Sequence, residues 1–92
     1  MDFRQLESFI AIAKNKSFSK AARELYLTQP TLSNHMQNLE KELGTFLLNR
    51  TNREISLTRA GEIFYDYAQK NNKVIKGLEN YKPEDDEIHC QH

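Results

Sequence analysis

TQPTLSNHMQNLEKELG, residues 28–44, carries Leu32, Met36, Leu39 and Leu43 at steps of four, three and four. At about 100° of arc per residue these side chains share one side of an α-helix, the side that faces a core. Opposite them lie Pro30, Asn34, Gln37, Asn38 and Lys41, with Thr31 and Ser33 on the flanks. Apart from Pro30, these side chains hydrogen-bond or carry positive charge, so the outer face is chemically equipped to read something. Both helix ends are specified. Thr28 is an N-cap, Pro30 sits in the first turn where its missing N–H is harmless, and Gly44 suits a left-handed C-terminal position.

Before this stretch, Phe3, Leu6, Phe9, Ile10 and Ala13 recur at helical spacing, which predicts an amphipathic helix over residues 3–15 with Arg4, Glu7 and Lys14 off the apolar face. Asn15, Lys16 and Ser17 break it. Ser19 then caps a short helix from Lys20 to about Tyr26, in which Ala21, Ala22 and Leu25 permit close helix packing. Leu27, Thr28 and Gln29 make a turn into the longer helix. Short helix, tight turn and longer helix with a polar outer face is the order of a helix-turn-helix, whose second helix enters the DNA major groove. On spacing alone a plain helical hairpin fits equally well.

After Gly44 the pattern turns from helical to extended. Thr45–Leu48 and Glu54–Leu57 flank the polar run Asn49, Arg50, Thr51, Asn52 and Arg53, which predicts a β-hairpin with Arg50 and Arg53 at its tip. Such a wing can reach phosphates or the narrow minor groove of an A-tract, although two arginines on an exposed turn can also be merely solvated. Thr58 then caps a long helix running to near Pro83. Along it Ala60, Phe64, Tyr67, Asn71, Val74 and Leu78 form a heptad seam, widened by Ile63, Ala68 and Ile75. The first half is expected to pack on its own domain. The second half has no obvious core to cover, so Val74 and Leu78 are expected to meet the same helix of a second chain, with Asn71 setting register; Phe64 and Tyr67 complete the expected dimerisation set. The alternative is a terminal helix lying on its own domain.

Composition bounds the remainder. With 92 residues, 38% hydrophobic and 28% charged, the chain fits one small globular domain. A domain this small buries only about 60–65% of its unfolded surface, so reliance on a partner chain is expected. No apolar run approaches the roughly 18 residues that cross a membrane, and MDFRQLESF lacks the order of a signal peptide, so a cytoplasmic location is expected. The single cysteine, Cys90, makes no internal disulfide and agrees with a reducing compartment. A net charge of zero conceals an asymmetry: residues 1–81 hold 12 basic and 9 acidic side chains (+3), and residues 82–92 hold Lys82 against Glu84, Asp85, Asp86 and Glu87 (−3). The acidic tail, broken by Pro83, is expected to be disordered. Its His89, Cys90 and His92 match no structural zinc spacing and lack a fourth ligand, and His35 is expected to pack or face solvent, so neither a metal nor a cofactor is expected. Carboxylates scattered along helix faces, and only three glycines (Gly44, Gly61, Gly77), argue against an enzyme.

SFSKAA, LTQPTLSNHMQNLEKELG, LLNRT and LTRAG follow one another at undisrupted spacing, and the likeness extends upstream through DFRQLESFIAIAKNKSF. Together they resemble the DNA-binding domain of the LysR-type transcriptional regulators. The resemblance implies a mainly α winged helix-turn-helix, three helices plus a β-hairpin wing over residues 1–58, then a long dimerising linker helix over 59–81; the acidic tail over 82–92 lies outside it. It implies a symmetric homodimer, often within larger assemblies, on a partly palindromic double-stranded DNA site near a promoter. Carried onto matching positions, it puts Gln29, Pro30, Ser33 and Asn34 at or beside the bases, Thr31 near the backbone and Arg53 at the minor groove. Gln37 and Arg50 complete the expected DNA-binding set.

Three departures from the family pattern matter. Position 34, often arginine, is Asn34, whose amide matches the N6 and N7 edge of adenine, so an A·T-leaning half-site is expected. Lys16 stands where glycine is frequent, which implies a turn that avoids a left-handed backbone. Family members also continue into an effector-sensing domain, and no length remains here for a small-molecule pocket. The expectation is therefore the DNA-binding portion of a longer regulator. The alternative is a short protein that heterodimerises with a full-length regulator through the linker helix and modulates it; coding sequence beyond position 92 separates the two.

Overall fold

Asp2 starts the first helix, α1 (Phe3–Asn15), with a reciprocal capping box. Its carboxylate accepts the Gln5 amide (2.9 Å) and the Gln5 side chain accepts the Asp2 amide (3.1 Å), so two amides without intrahelical partners are satisfied at once. The computed structural model describes residues 2–50 and 54–79. The expected tail, with His89, Cys90 and His92, lies outside them.

The second helix, α2 (Phe18–Leu25), is capped by Ser17 and not by Ser19. Ser17 Oγ accepts the Lys20 amide at 3.1 Å, which brings Phe18 into the first turn and half-buries its ring against the core. Lys16 overturns the expectation placed on it. It closes α1 in the left-handed region (φ 54°, ψ 36°), its amide bonded to the Ile12 carbonyl, because the chain must reverse there whether or not glycine is supplied. Tyr26 closes α2 in the same way (φ 57°, ψ 40°).

The third helix, α3 (Gln29–Leu43), begins at Thr28 and ends at Gly44 (φ 72°), as its sequence predicts. Leu32, Met36 and Leu39 are fully buried together with Phe9 and Ile12 of α1, and Ala21 and Ala22 of α2 let the three helices close around them. Leu43 leaves the stripe and is 39% exposed; the next buried position after Leu39 is Glu40.

The expected hairpin is reduced to two short antiparallel strands, β1 (Leu48–Asn49) and β2 (Ser56–Leu57), with Leu48 opposite Leu57 and Asn49 opposite Ser56. The ladder ends at Leu47: its carbonyl still accepts the amide of its register partner Thr58, but its N–H, which would return the bond, donates to the Glu40 carboxylate. The fourth helix, α4 (Arg59–Glu79), is capped by Thr58, whose Oγ accepts the Gly61 amide at 2.9 Å and donates to the Phe46 carbonyl at 2.6 Å. It leans on α1 through Phe9, whose ring meets Phe64 at 5.5 Å and Tyr65 at 6.1 Å. Ala68 is buried as expected, whereas Ile63 is exposed; Tyr65 takes the inward position.

Candidate nucleic-acid interface

The polar face expected from the sequence is the side of α3 that its own domain leaves bare. Gln29, Pro30, Thr31, Asn34 and Gln37 are exposed and Ser33 is half-buried. The exposure of this side follows from the apolar stripe, since a helix with one such stripe has only one other side to leave bare. Thr28 orders its entry. The hydroxyl accepts the Thr31 amide (3.3 Å) and donates to Thr31 Oγ (2.9 Å), so the first turn of α3 is fixed before any partner arrives. His35 turns inward instead, its Nδ1 lying 2.9 Å from Oγ of the fully buried Ser8. That contact ties the middle of α3 to α1.

Arg50 is not a free wing arginine. Its Nη2 lies 3.4 Å from Glu40 Oε1, and its guanidinium carbon lies 5.5 Å from the centroid of the Phe18 ring. It borders a hollow shared with Phe18, Gln29, Pro30 and Ser33, directly beside the first turns of α3. Arg53, the other expected wing contact, lies outside the described residues. Neither of these partners of Arg50 was visible as such in the sequence: a glutamate on an amphipathic helix reads as solvated, and a phenylalanine reads as core. The available signal was positional, because Glu40 sits eight residues after Leu32 and four after Met36, on the buried arc.

Of the seam residues, Phe64 is half-buried and packs on Phe9 and Tyr67 (both 5.5 Å). Asn71 donates its amide to the Tyr67 carbonyl of its own helix at 2.9 Å. Val74 and Leu78 are 63% and 69% exposed. Near the start of α4, a shallow apolar groove runs between the helices, lined by Leu43, Leu47, Ile63, Phe64 and Tyr67. No helix of the described residues is long and apolar enough to cross a membrane.

Three packed helices with a bare polar face on the third, followed by a two-stranded wing and a long fourth helix, define a winged helix-turn-helix of the DNA-binding class. The family is more specific. Residues 3–62 match the model of the bacterial regulatory helix-turn-helix proteins of the LysR family, and the chain belongs to that family. It is 49% identical over 69 residues to the transcriptional regulator AlsR of Bacillus subtilis, covering 75% of this chain and 23% of AlsR. Against the regulator BenM of Acinetobacter baylyi it is 47% identical over 70 residues, 76% of this chain and 23% of BenM. The chain thus spans about a quarter of the length of these relatives. Among solved structures, the BenM DNA-binding domain in complex with catB site 1 DNA superposes with a TM-score of 0.81 at 42% identity, covering 85% of this chain and 88% of that one. The CbnR DNA-binding domain in complex with DNA matches with a TM-score of 0.81 at 39% identity, covering 87% and 92%.

Proposed function

We propose that this chain reads double-stranded DNA as a homodimer, with the first turns of α3 in the major groove and the wing against the backbone or minor groove. The observation that carries the reading is the bare polar face of α3 on a fold that, in the BenM and CbnR domains, is seen in complex with DNA. An α-helix fills a major groove about 12 Å wide, and among the described residues none covers Gln29, Pro30 or Asn34, which are exposed. In this reading Gln29, Pro30, Ser33 and Asn34 meet the bases, Thr31 meets the backbone and Gln37 lies further along the groove. Arg50 and Arg53 serve the wing. Residues 1–58 are the reading domain and residues 59–81 the helix that pairs two chains, so that two copies of α3 address two half-sites. The whole acts in transcriptional regulation as the DNA-binding portion of a longer regulator.

The test is selection of duplexes from a random-sequence library by the 92-residue chain, followed by titration of the enriched duplex and a scrambled one. Enrichment of a two-fold-related site is the expected result. Asn34→Ala should then relax preference at one base pair of each half-site by about 1–3 kcal/mol. Equal loss on every duplex would remove Asn34 from the base readers. Failure of the wild-type chain to distinguish any duplex from a scrambled one would overturn the reading itself.

A further inference from the structure

Glu40 is 6% exposed and is the one carboxylate among the described residues in the buried class. Burying a carboxylate is costly unless its oxygens are hydrogen-bonded, so its partners indicate what it is there to hold. Oε2 accepts two consecutive main-chain amides, Leu47 at 2.8 Å and Leu48 at 3.2 Å, just where the chain leaves α3 and enters β1. Oε1 faces Arg50 Nη2 at 3.4 Å. Arg50 in turn lies over Phe18, the first residue of α2, and beside Gln29, Pro30 and Ser33. One side chain from the recognition helix therefore grips the root of the wing with one oxygen and the wing arginine with the other.

We propose that Glu40 is a positioning residue for DNA reading: it sets the wing against the recognition helix and holds the Arg50 guanidinium at the edge of the reading face. The proposal rests on the DNA-binding function proposed above. The guanidinium has five N–H donors, and Glu40 engages it from one side only, through Nη2. Its side chain is 39% exposed, so donors remain free to meet a phosphate in a fixed place relative to the bases under α3. An arginine on a flexible tip contributes charge wherever the protein lands. An arginine held by Glu40 and Phe18 contributes most where the helix is in register, and that difference is a contribution to specificity.

The two oxygens make the role separable. In Glu40→Gln the amide oxygen can keep the Leu47 and Leu48 amides, which leaves the amide NH2 facing the guanidinium, donor against donor. Arg50 is released and the wing root stays anchored. The change also removes a negative charge, and charge alone predicts tighter binding of every duplex. Positioning predicts the opposite sign for the selected duplex. With the duplex enriched by the wild-type chain and a scrambled duplex as probes, Glu40→Gln should lower the ratio of the two affinities about tenfold, the size of one mismatched base pair. Arg50→Gln should lower it similarly, and the double variant no further than Arg50→Gln alone. An unchanged ratio in Glu40→Gln, or additive losses in the double variant, would overturn the proposal while the wild-type ratio still stands for DNA reading. Should Glu40→Gln fail to fold, Arg50→Gln and Phe18→Leu decide: a ratio unaltered in both overturns it, and a matching drop in both supports it. Failure of the wild-type chain to prefer its duplex is the separate outcome that removes the function itself.

Discussion

Lys16 and Tyr26 each close a helix with a left-handed backbone, and neither is glycine. An L-residue in that region pays about 1–2 kcal/mol, because Cβ crowds the carbonyl. Tyr26 is 95% exposed, so its ring recovers none of that through packing, whereas the Lys16 stem borders a hollow with Ile55 and Leu57. Lys16→Gly should therefore stabilise the domain by about 1 kcal/mol, raising Tm by roughly 4–8 °C for a domain of this size. Tyr26→Gly should do at least as well. A lower Tm for Lys16→Gly with a higher one for Tyr26→Gly would assign the difference to the Lys16 stem. The caps Thr28 and Thr58 were legible in the sequence because a capping hydroxyl three residues before its amide is a local pattern. The conformation of Lys16 was not, since it is imposed by the direction α2 must take to pack on α1. Residue type expresses a preference at such a corner, and tertiary geometry overrides it.

The corner between α3, the wing and α4 is built from three elements meeting at one carbonyl. Leu47 O accepts the Thr58 amide, and a Cβ placed on Gly61 would collide with that carbonyl and press on Leu57 Cβ at 3.3 Å. Gly61 is the third residue of α4, where alanine would otherwise be the better helix former by about 1 kcal/mol. Gly61→Ala should nevertheless destabilise by about 1–3 kcal/mol, because the clash is with main chain that Glu40 and Thr58 hold in place. Gly77→Ala is the internal control. Nothing lies within 4 Å of its Cβ, so it should be neutral or gain up to about 1 kcal/mol. Chemical denaturation of both variants checks the contrast; equal and favourable shifts would mean that the corner relaxes freely. At this scale the order and type of every helix could be read from apolar periodicity. The wing hairpin could be read as well, but not how short its strands are, because the Leu47 N–H is spent on Glu40, which lies in another element. Glu40 was hidden for the same reason: its role depends on where the wing root passes.

The described residues extend over 56 × 25 × 18 Å with a radius of gyration of 15.8 Å, against about 12 Å for a compact chain of this length. The excess comes from α4, whose 21 residues make a rod about 32 Å long. Its first half is committed to α1 through Phe64, Tyr65 and Ala68, and the apolar seam continues past that contact to Val74 and Leu78, both largely exposed. The heptad spacing in the sequence announced a seam, but not which residues belong to the domain's own core: Ile63, assigned to the apolar surface, is exposed, and Tyr65, to which the pattern gave no side, packs on the core. Isolated apolar residues on a surface are ordinary; two at seam spacing on a helix that extends past its contact with α1 fit the homodimer proposed above. We expect Val74→Glu with Leu78→Glu to leave the reading domain folded, since neither side chain belongs to the core, and to convert dimers to monomers in sedimentation. Joining two modules raises avidity roughly 100- to 10,000-fold over one when both half-sites are spanned, so the double variant should lose affinity on that order for the selected duplex. It should keep affinity for a duplex carrying a single half-site, because α3, Glu40 and Arg50 are untouched. A dimer that survives the two charges would move the seam elsewhere on the molecule, to the apolar groove of Leu43, Ile63 and Tyr67. A monomer that loses the single half-site as well would make α4 part of the reading domain rather than the link between two of them.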